Sequence, residues 1–249
     1  KQEDSFGHRR HPNRIGLCKA ASKLVICEAL VDIEVLEKGR IMALKLYGMP
    51  LSNYYNIVKA VMIEQQLEFE EVLVKPSQEN TYLDKSPMGK VPCLETEQGF
   101  LTETAVILNY LDSLGKQPSF YPGDSFARAK VEELIHYLEI YLELPARRLY
   151  GEVFFGAPAD PVLRQEVRKQ LEKGFAALNR IAKYEPYLAG PEITYADFFF
   201  RFTVGLVTIV AGKALDWDAF NEMPEIKALL ARMDEHESIQ RCLADQKKS

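Results

Sequence analysis

The sequence predicts an α/β unit followed by an all-α unit. Three observations carry this reading. Strand-like and helix-like patterns alternate from Met42 to Leu114, a proline- and glycine-rich stretch (KQPSFYPGD) then interrupts them, and beyond it apolar residues recur only at helical spacing. The 249 residues suit one large domain or two small ones, and 47% hydrophobic with 27% charged residues is an ordinary globular balance. We therefore divide the chain into an α/β domain over 42–116, a linker over 117–124 and a helical domain over 125–249.

Residues 1–41 stand apart. Lys1 to Arg14 is polar and has no period, and Leu24 to Leu36 would make a short amphipathic helix. Glu28 and Asp32 break the apolar stretch and no small-residue cleavage site follows, which argues against a secretory signal. We expect Met42 to be the natural start, with 1–41 a translated leader or an expression artefact outside the core fold.

From Met42 the elements follow in order. Ala43–Gly48 reads as a strand, Ser52–Gln66 as a helix with Ile57, Val58, Val61 and Met62 on one face, and Phe69–Val74 as a second strand. Val91–Glu95 and Gly99–Leu101 read as two short strands about a turn at Gln98-Gly99, and Glu103–Leu114 as a helix closed by Gly115. In the second half Val131, Leu134, Ile135, Leu138 and Leu142 predict one long helix, and Val167 to Ile181 another. A helix around Phe198 and shorter ones after Trp217 and Pro224 complete it.

Composition excludes several functions. The net charge is −5 with no basic stripe, so nucleic acid is not an expected partner. Cys18, Cys27, Cys93 and Cys242 are scattered without a CxxC, as free thiols in a reducing compartment are, and the expected location is cytoplasmic. His136 and His236 stand alone and read as solvated helix positions, and no metal is expected because metal sites need converging ligands. Asp197 and Arg201 interrupt the apolar run Ile193–Ala211, which reads as a buried core helix and not a membrane span.

Four local features could carry chemistry. In the first, Leu46-Tyr47-Gly48-Met49-Pro50-Leu51-Ser52-Asn53, a strand ends and a helix starts at Ser52. Serine there caps the helix; the same geometry also lets free amides, the helix dipole and a hydroxyl stabilise a thiolate. The second is Lys90-Val91-Pro92, either an edge-strand proline or, if the bond is cis, a turn that offers the Val91 backbone to an extended peptide. The third, Thr102-Glu103-Thr104, opens a helix where amides favour a carboxylate and Glu103 could pair with an ammonium, matching an α-amino acid head; the alternative is a capping sequence. The fourth, Ile193 to Phe198, reads as structural: a capping box from Thr194 and Asp197, with Ile193 and Phe198 as its staple.

In this order the features resemble the cytosolic glutathione transferase family, in particular a serine-type, bacterial-like member. The resemblance runs from Met42 to the C-terminus on LYG-x-P-x-S, SPMGKVP, LTET and ITYAD. It implies a thioredoxin-like N-terminal domain that holds glutathione and an all-α C-terminal domain that lines the site of a small-molecule electrophile. Carried over by position, Ser52 is the catalytic hydroxyl and Val91 pairs with the cysteinyl backbone ahead of a cis Pro92. Glu103 and Thr104 hold the γ-glutamyl head, Lys90 reaches the glycyl carboxylate, and Asn53 is a nearby donor. Ser86 stands where the family often has Asn and Thr104 where it often has Ser. No cysteine occupies the Ser52 position, which argues against mixed-disulfide chemistry, and Tyr47 is the alternative hydroxyl. The resemblance implies glutathione as cosubstrate, no metal, and a symmetric homodimer. Tyr137, Tyr141 and Tyr150, assigned to the first long helix, are candidates for the electrophile pocket. Rival readings are another glutathione enzyme on this scaffold (peroxidase, isomerase or dehalogenase) and a non-catalytic ligand-binding or interaction protein.

Overall fold

The computed structural model describes residues 44–115, 118–219 and 223–248. The expected leader, with Cys18, Cys27, His8 and His11, lies outside the described residues, as do Lys116 and Gln117 at the linker.

The first half contains β1 (Leu44–Gly48), α1 (Asn53–Glu64), β2 (Phe69–Leu73), α2 (Asn80–Leu83), β3 (Cys93–Thr96), β4 (Gly99–Leu101) and α3 (Thr104–Ser113). The sheet runs in the order β2-β1-β3-β4. β1 and β2 are parallel, with Leu44 opposite Phe69; β3 is antiparallel to β1 and to β4. This is the thioredoxin-like α/β arrangement expected for the first domain. Leu46 of β1 and Leu94 of β3 are fully buried, and so are Ile57, Val58, Val61 and Met62, the apolar face of α1. Two of the boundaries that differ from expectation bear on the site. β3 starts at Cys93 and not Val91, because Pro92 has no N–H to give a ladder. α1 starts at Asn53, with Ser52 outside it as N-cap.

The second half is helical: α4 (Ser125–His136), a π-helix (Tyr137–Glu143), α5 (Leu144–Arg147), α6 (Tyr150–Phe155), α7 (Pro161–Ile181), α8 (Tyr195–Leu215), α9 (Pro224–Met233) and α10 (Glu237–Gln246). The expected first long helix is thus a composite rod, and Tyr150 opens a separate helix. Pro145 accounts for the change of period. It supplies no N–H, and its ring would collide with the carbonyl four residues back. Widening the turn avoids this, and the Leu144 N–H bonds Glu139 O, five residues back.

α8 is long and apolar enough to cross a membrane by length and composition alone. Here it is a core helix: Phe198, Phe199, Phe200, Val204, Val207 and Val210 are fully buried, and it packs against α1, α4, the π-helix, α7 and α9. Its start is the expected capping box, in which Asp197 accepts the Thr194 N–H at 2.7 Å and the Thr194 hydroxyl at 2.9 Å. Asp197 also accepts the Leu188 N–H at 2.7 Å, and burial pushes its carboxyl above the usual range.

Candidate active site

β1 ends against α1, and Met49 to Ser52 form the turn between them. The Ser52 N–H bonds Met49 O at 3.0 Å, and Asn56 Nδ2 donates to Pro50 O at 2.7 Å, so the turn is tied at both ends. Ser52 Oγ accepts the Tyr55 N–H at 3.3 Å, the N-cap bond. That bond uses an acceptor lone pair. The hydroxyl proton of this half-buried side chain has no acceptor among the described residues. Tyr47, the alternative hydroxyl, is committed elsewhere: it donates to Glu95 and packs with Tyr82 and Cys93. Burial, then the bond to Glu95, push its phenol up to about 12, away from any role as a ready proton source.

The Val91–Pro92 peptide is cis. The segment before it is held from beneath. Lys90 O accepts from Ser86 Oγ at 2.8 Å and from Tyr82 OH at 3.0 Å, so Ser86 supports the loop directly. Gly89 sits at φ +63, and a Cβ there would lie 2.1 Å from Ser77 O, so this turn admits only glycine. Val91 is half-buried, Lys90 exposed and Pro92 buried. At the next element Glu103, exposed, is the residue before α3 and has φ 66, while Thr104 is 6% exposed. A non-glycine residue at such φ is rare and tends to mark a functional site.

The sequence reading missed a buried network beside Ser52. Glu143 of the π-helix is fully buried. It accepts from Tyr54 OH at 3.3 Å, from Tyr150 OH at 3.2 Å and from Arg147 Nε at 3.1 Å, with a second, shorter contact to the same guanidinium. Arg147 also donates to Asn53 Oδ1 at 3.5 Å and lies over the Tyr54 and Tyr150 rings. Asn53 is 5% exposed, and its Nδ2 has no partner. Burial, then the Glu143 carboxylate, raise both phenols, so Tyr54 and Tyr150 stay protonated as donors. The spacing of Glu143 and Arg147, four residues apart, was the one signal available in the sequence.

Tyr137 and Tyr141 stack edge to face at 5.0 Å on the π-helix, with Tyr141 exposed, whereas Tyr150 is bound into the Glu143 network. A cavity of about 410 Å³ opens beside the β1–α1 turn. Leu51 and Asn53 form one wall and residues of α8, α9 and α10 the others; none of the three tyrosines lines it. Among the described residues, no group of His, Cys, Asp or Glu is arranged to hold a metal. Cys93 and Cys242 are buried thiols, pushed up to about 11 and about 12 by burial.

Residues 46–119 match the family model described as glutathione S-transferase, N-terminal domain, and residues 153–246 the one described as glutathione S-transferase, C-terminal domain. A Pseudomonas putida protein named glutathione S-transferase is 45% identical over 206 residues, spanning 83% of this chain and 94% of that one. Among solved structures, a serine-to-cysteine variant of a poplar glutathione transferase aligns with a TM-score of 0.71 at 21% identity, covering 83% of this chain and 99% of that one. A Drosophila mojavensis glutathione transferase homologue with bound glutathione aligns at 0.67 and 23% identity, covering 83% and 97%.

Proposed function

Because the chain belongs to the glutathione S-transferase family, we propose that it conjugates the glutathione thiolate to hydrophobic electrophiles and that Ser52 activates the sulfur. The carrying observation is the Ser52 hydroxyl: its acceptor side is used by the Tyr55 N–H, and among the described residues its proton has no partner at the N-terminus of α1. An anion placed there meets that proton, the helix dipole and unpaired amides. The thiol proton leaves to solvent. The sulfur lone pair forms the new carbon–sulfur bond, and the leaving group departs with its bonding pair. Glutathione is a cosubstrate, and no step requires a metal.

The remaining contacts follow the family pattern. The Val91 backbone pairs with the cysteinyl unit ahead of Pro92, Glu103 and Thr104 hold the γ-glutamyl head, Lys90 reaches the glycyl carboxylate, and Asn53 stands beside the sulfur. The unit boundaries at 42–116, 117–124 and 125–249 separate glutathione binding from electrophile binding. We further assign a cytoplasmic homodimer acting in detoxification, which light scattering of the purified protein would check for its mass.

Two variants separate catalysis from capping. Ser52→Ala removes the hydroxyl and costs about 1 kcal/mol of cap stability, whereas Ser52→Gly removes the hydroxyl and costs only a few tenths. Both should lose about a hundredfold in kcat/KM with chlorodinitrobenzene, as loss of a donor to a developing anion does, while still binding glutathione by calorimetry. Retained turnover in Ser52→Gly would reduce Ser52 to a cap.

A further inference from the structure

The amides that would face an anion at the start of α1 belong to Asn53 and Tyr54. In the first turn of a helix the N–H groups have no partner within the helix. The Tyr55 N–H is taken by Ser52 Oγ at 3.3 Å and the Asn56 N–H by Ser52 O at 3.1 Å. Those of Asn53 and Tyr54 meet no acceptor among the described residues. The side chains of these same two residues are the ones the Glu143 network holds. Tyr54 donates its hydroxyl to Glu143, and the Asn53 side-chain carbonyl accepts from Arg147 Nη2. The guanidinium is itself fixed, because its Nε and Nη2 both bond the Glu143 carboxylate as a fork. Taking a carboxylate wholly out of water is unfavourable, and an apolar pair of similar volume would often pack as stably. Stability alone therefore does not account for Glu143; what it provides is a rigid tie from the π-helix and α5 to the first turn of α1. The widened turn aims that tie: a residue added to a turn rotates the face that follows by about 100°, and that face carries Arg147 onto Asn53. The Arg147 side chain is 44% exposed and Glu143 0%, so the network is closed at the carboxylate and open at the guanidinium.

We propose that Arg147 is a positioning residue for thiolate formation: through Asn53 it holds the free amides of α1 and the Ser52 hydroxyl in register with the glutathione sulfur. The proposal rests on the reading of Ser52 given above. Its working part is the planar fork of the guanidinium and not its charge, which Glu143 already neutralises.

The test titrates enzyme-bound glutathione through the ultraviolet band of its thiolate, alongside the pH profile of kcat/KM with chlorodinitrobenzene. Glu143→Gln combined with Arg147→Met removes both charges and leaves no orphan carboxylate, so the fold should survive. Arg147→Lys keeps the charge without the fork. Both should raise the midpoint of thiolate formation by about one pH unit, a tenfold loss of thiolate below it. Their kcat/KM should fall about tenfold at that pH and recover once the pH exceeds both midpoints, with glutathione still bound. Arg148→Met, which removes a neighbouring exposed charge paired with Glu166, should leave the midpoint unchanged. Asn53→Ala should raise the midpoint as Arg147→Lys does, and the two together should raise it no further, since both cut one tie. Additive effects, or a parental midpoint in Arg147→Lys, would overturn the positioning role. A parental midpoint in the double variant, with a raised one in Ser52→Gly, would overturn it and leave the Ser52 reading standing. A parental midpoint in Ser52→Gly itself would overturn that reading, and the role of Arg147 with it.

Discussion

Glu139 sits on the π-helix between Glu143 and the α3 start, and burial, then the Glu143 and Glu103 carboxylates, push its carboxyl up to about 7. Among the described residues its ion-pair partner is His136, whose Nδ1 is 3.7 Å away and charged only when protonated. An acid whose folded pKa exceeds its unfolded one binds more protons when folded, so its contribution to stability falls as pH rises between those two values. Glu139→Gln should therefore match the parent near about pH 4 and exceed it near about pH 8 by on the order of 2 kcal/mol in urea melts; equal pH slopes would show that Glu139 is not so perturbed. Glu103 argues a different trade. At φ 66 its backbone is strained, and glycine there would relieve on the order of 1 kcal/mol. Glu103→Gly should raise the melting temperature yet weaken glutathione binding about tenfold, the loss of one charge-assisted hydrogen bond, a divergence that calorimetry and thermal melts read together. Ser52 was legible in the sequence because capping chemistry follows residue type. The conformation of Glu103 was not, since nothing in a glutamate announces a left-handed backbone.

At the scale of elements, periodicity located the strands and most helices and failed at the π-helix. Leu138 and Leu142 are spaced as an α-helix spaces them and are both fully buried, so the apolar stripe carries no mark of one wider turn. The mark lay in Pro145, whose effect falls four residues upstream. This misreading also joined Tyr150 to the wrong helix and hid the Glu143 network, because a buried carboxylate is visible only through the tyrosines and arginine that converge on it. The π-helix has a matching feature on α7. A Cβ on Gly174 would lie 2.4 Å from Tyr141 O, backbone that cannot swing aside. Gly174→Ala should consequently destabilise despite alanine's higher helix propensity, by about 1–3 kcal/mol as overpacking does. That corresponds to a fall of roughly 2–4 °C per kcal/mol for a chain of this size. A neutral or stabilised variant would mean the two elements are not in such contact.

At the scale of the molecule, the α/β and helical halves share their cores. α1 packs on α8 and on α10 as well as on its own sheet. Lys59 of α1, 1% exposed, bonds Glu71 of β2 at 2.6 Å and Asp245 of α10 at 2.8 Å, joining both halves through one ammonium. Tyr195, fully buried at the start of α8, donates to Asp112 of α3 at 2.8 Å and accepts from Gln65 Nε2 at 3.0 Å. A chain with its polar ties and apolar faces crossing the boundary in this way should unfold in one step although it contains two architectures. Tyr195→Phe tests this without opening a cavity. It strips the partner from Gln65, which is 3% exposed, and among the described residues leaves Asp112 the Ser119 hydroxyl at 2.7 Å. The unpaired buried amide should cost about 1–3 kcal/mol. Trp217, the single tryptophan, reports on the helical half, and hydrogen exchange of the β1 and β3 amides reports on the sheet. If the halves are one cooperative unit, both midpoints fall together in Tyr195→Phe. A sheet that loses protection while Trp217 fluorescence keeps the parent's midpoint would show that the α/β half unfolds by itself.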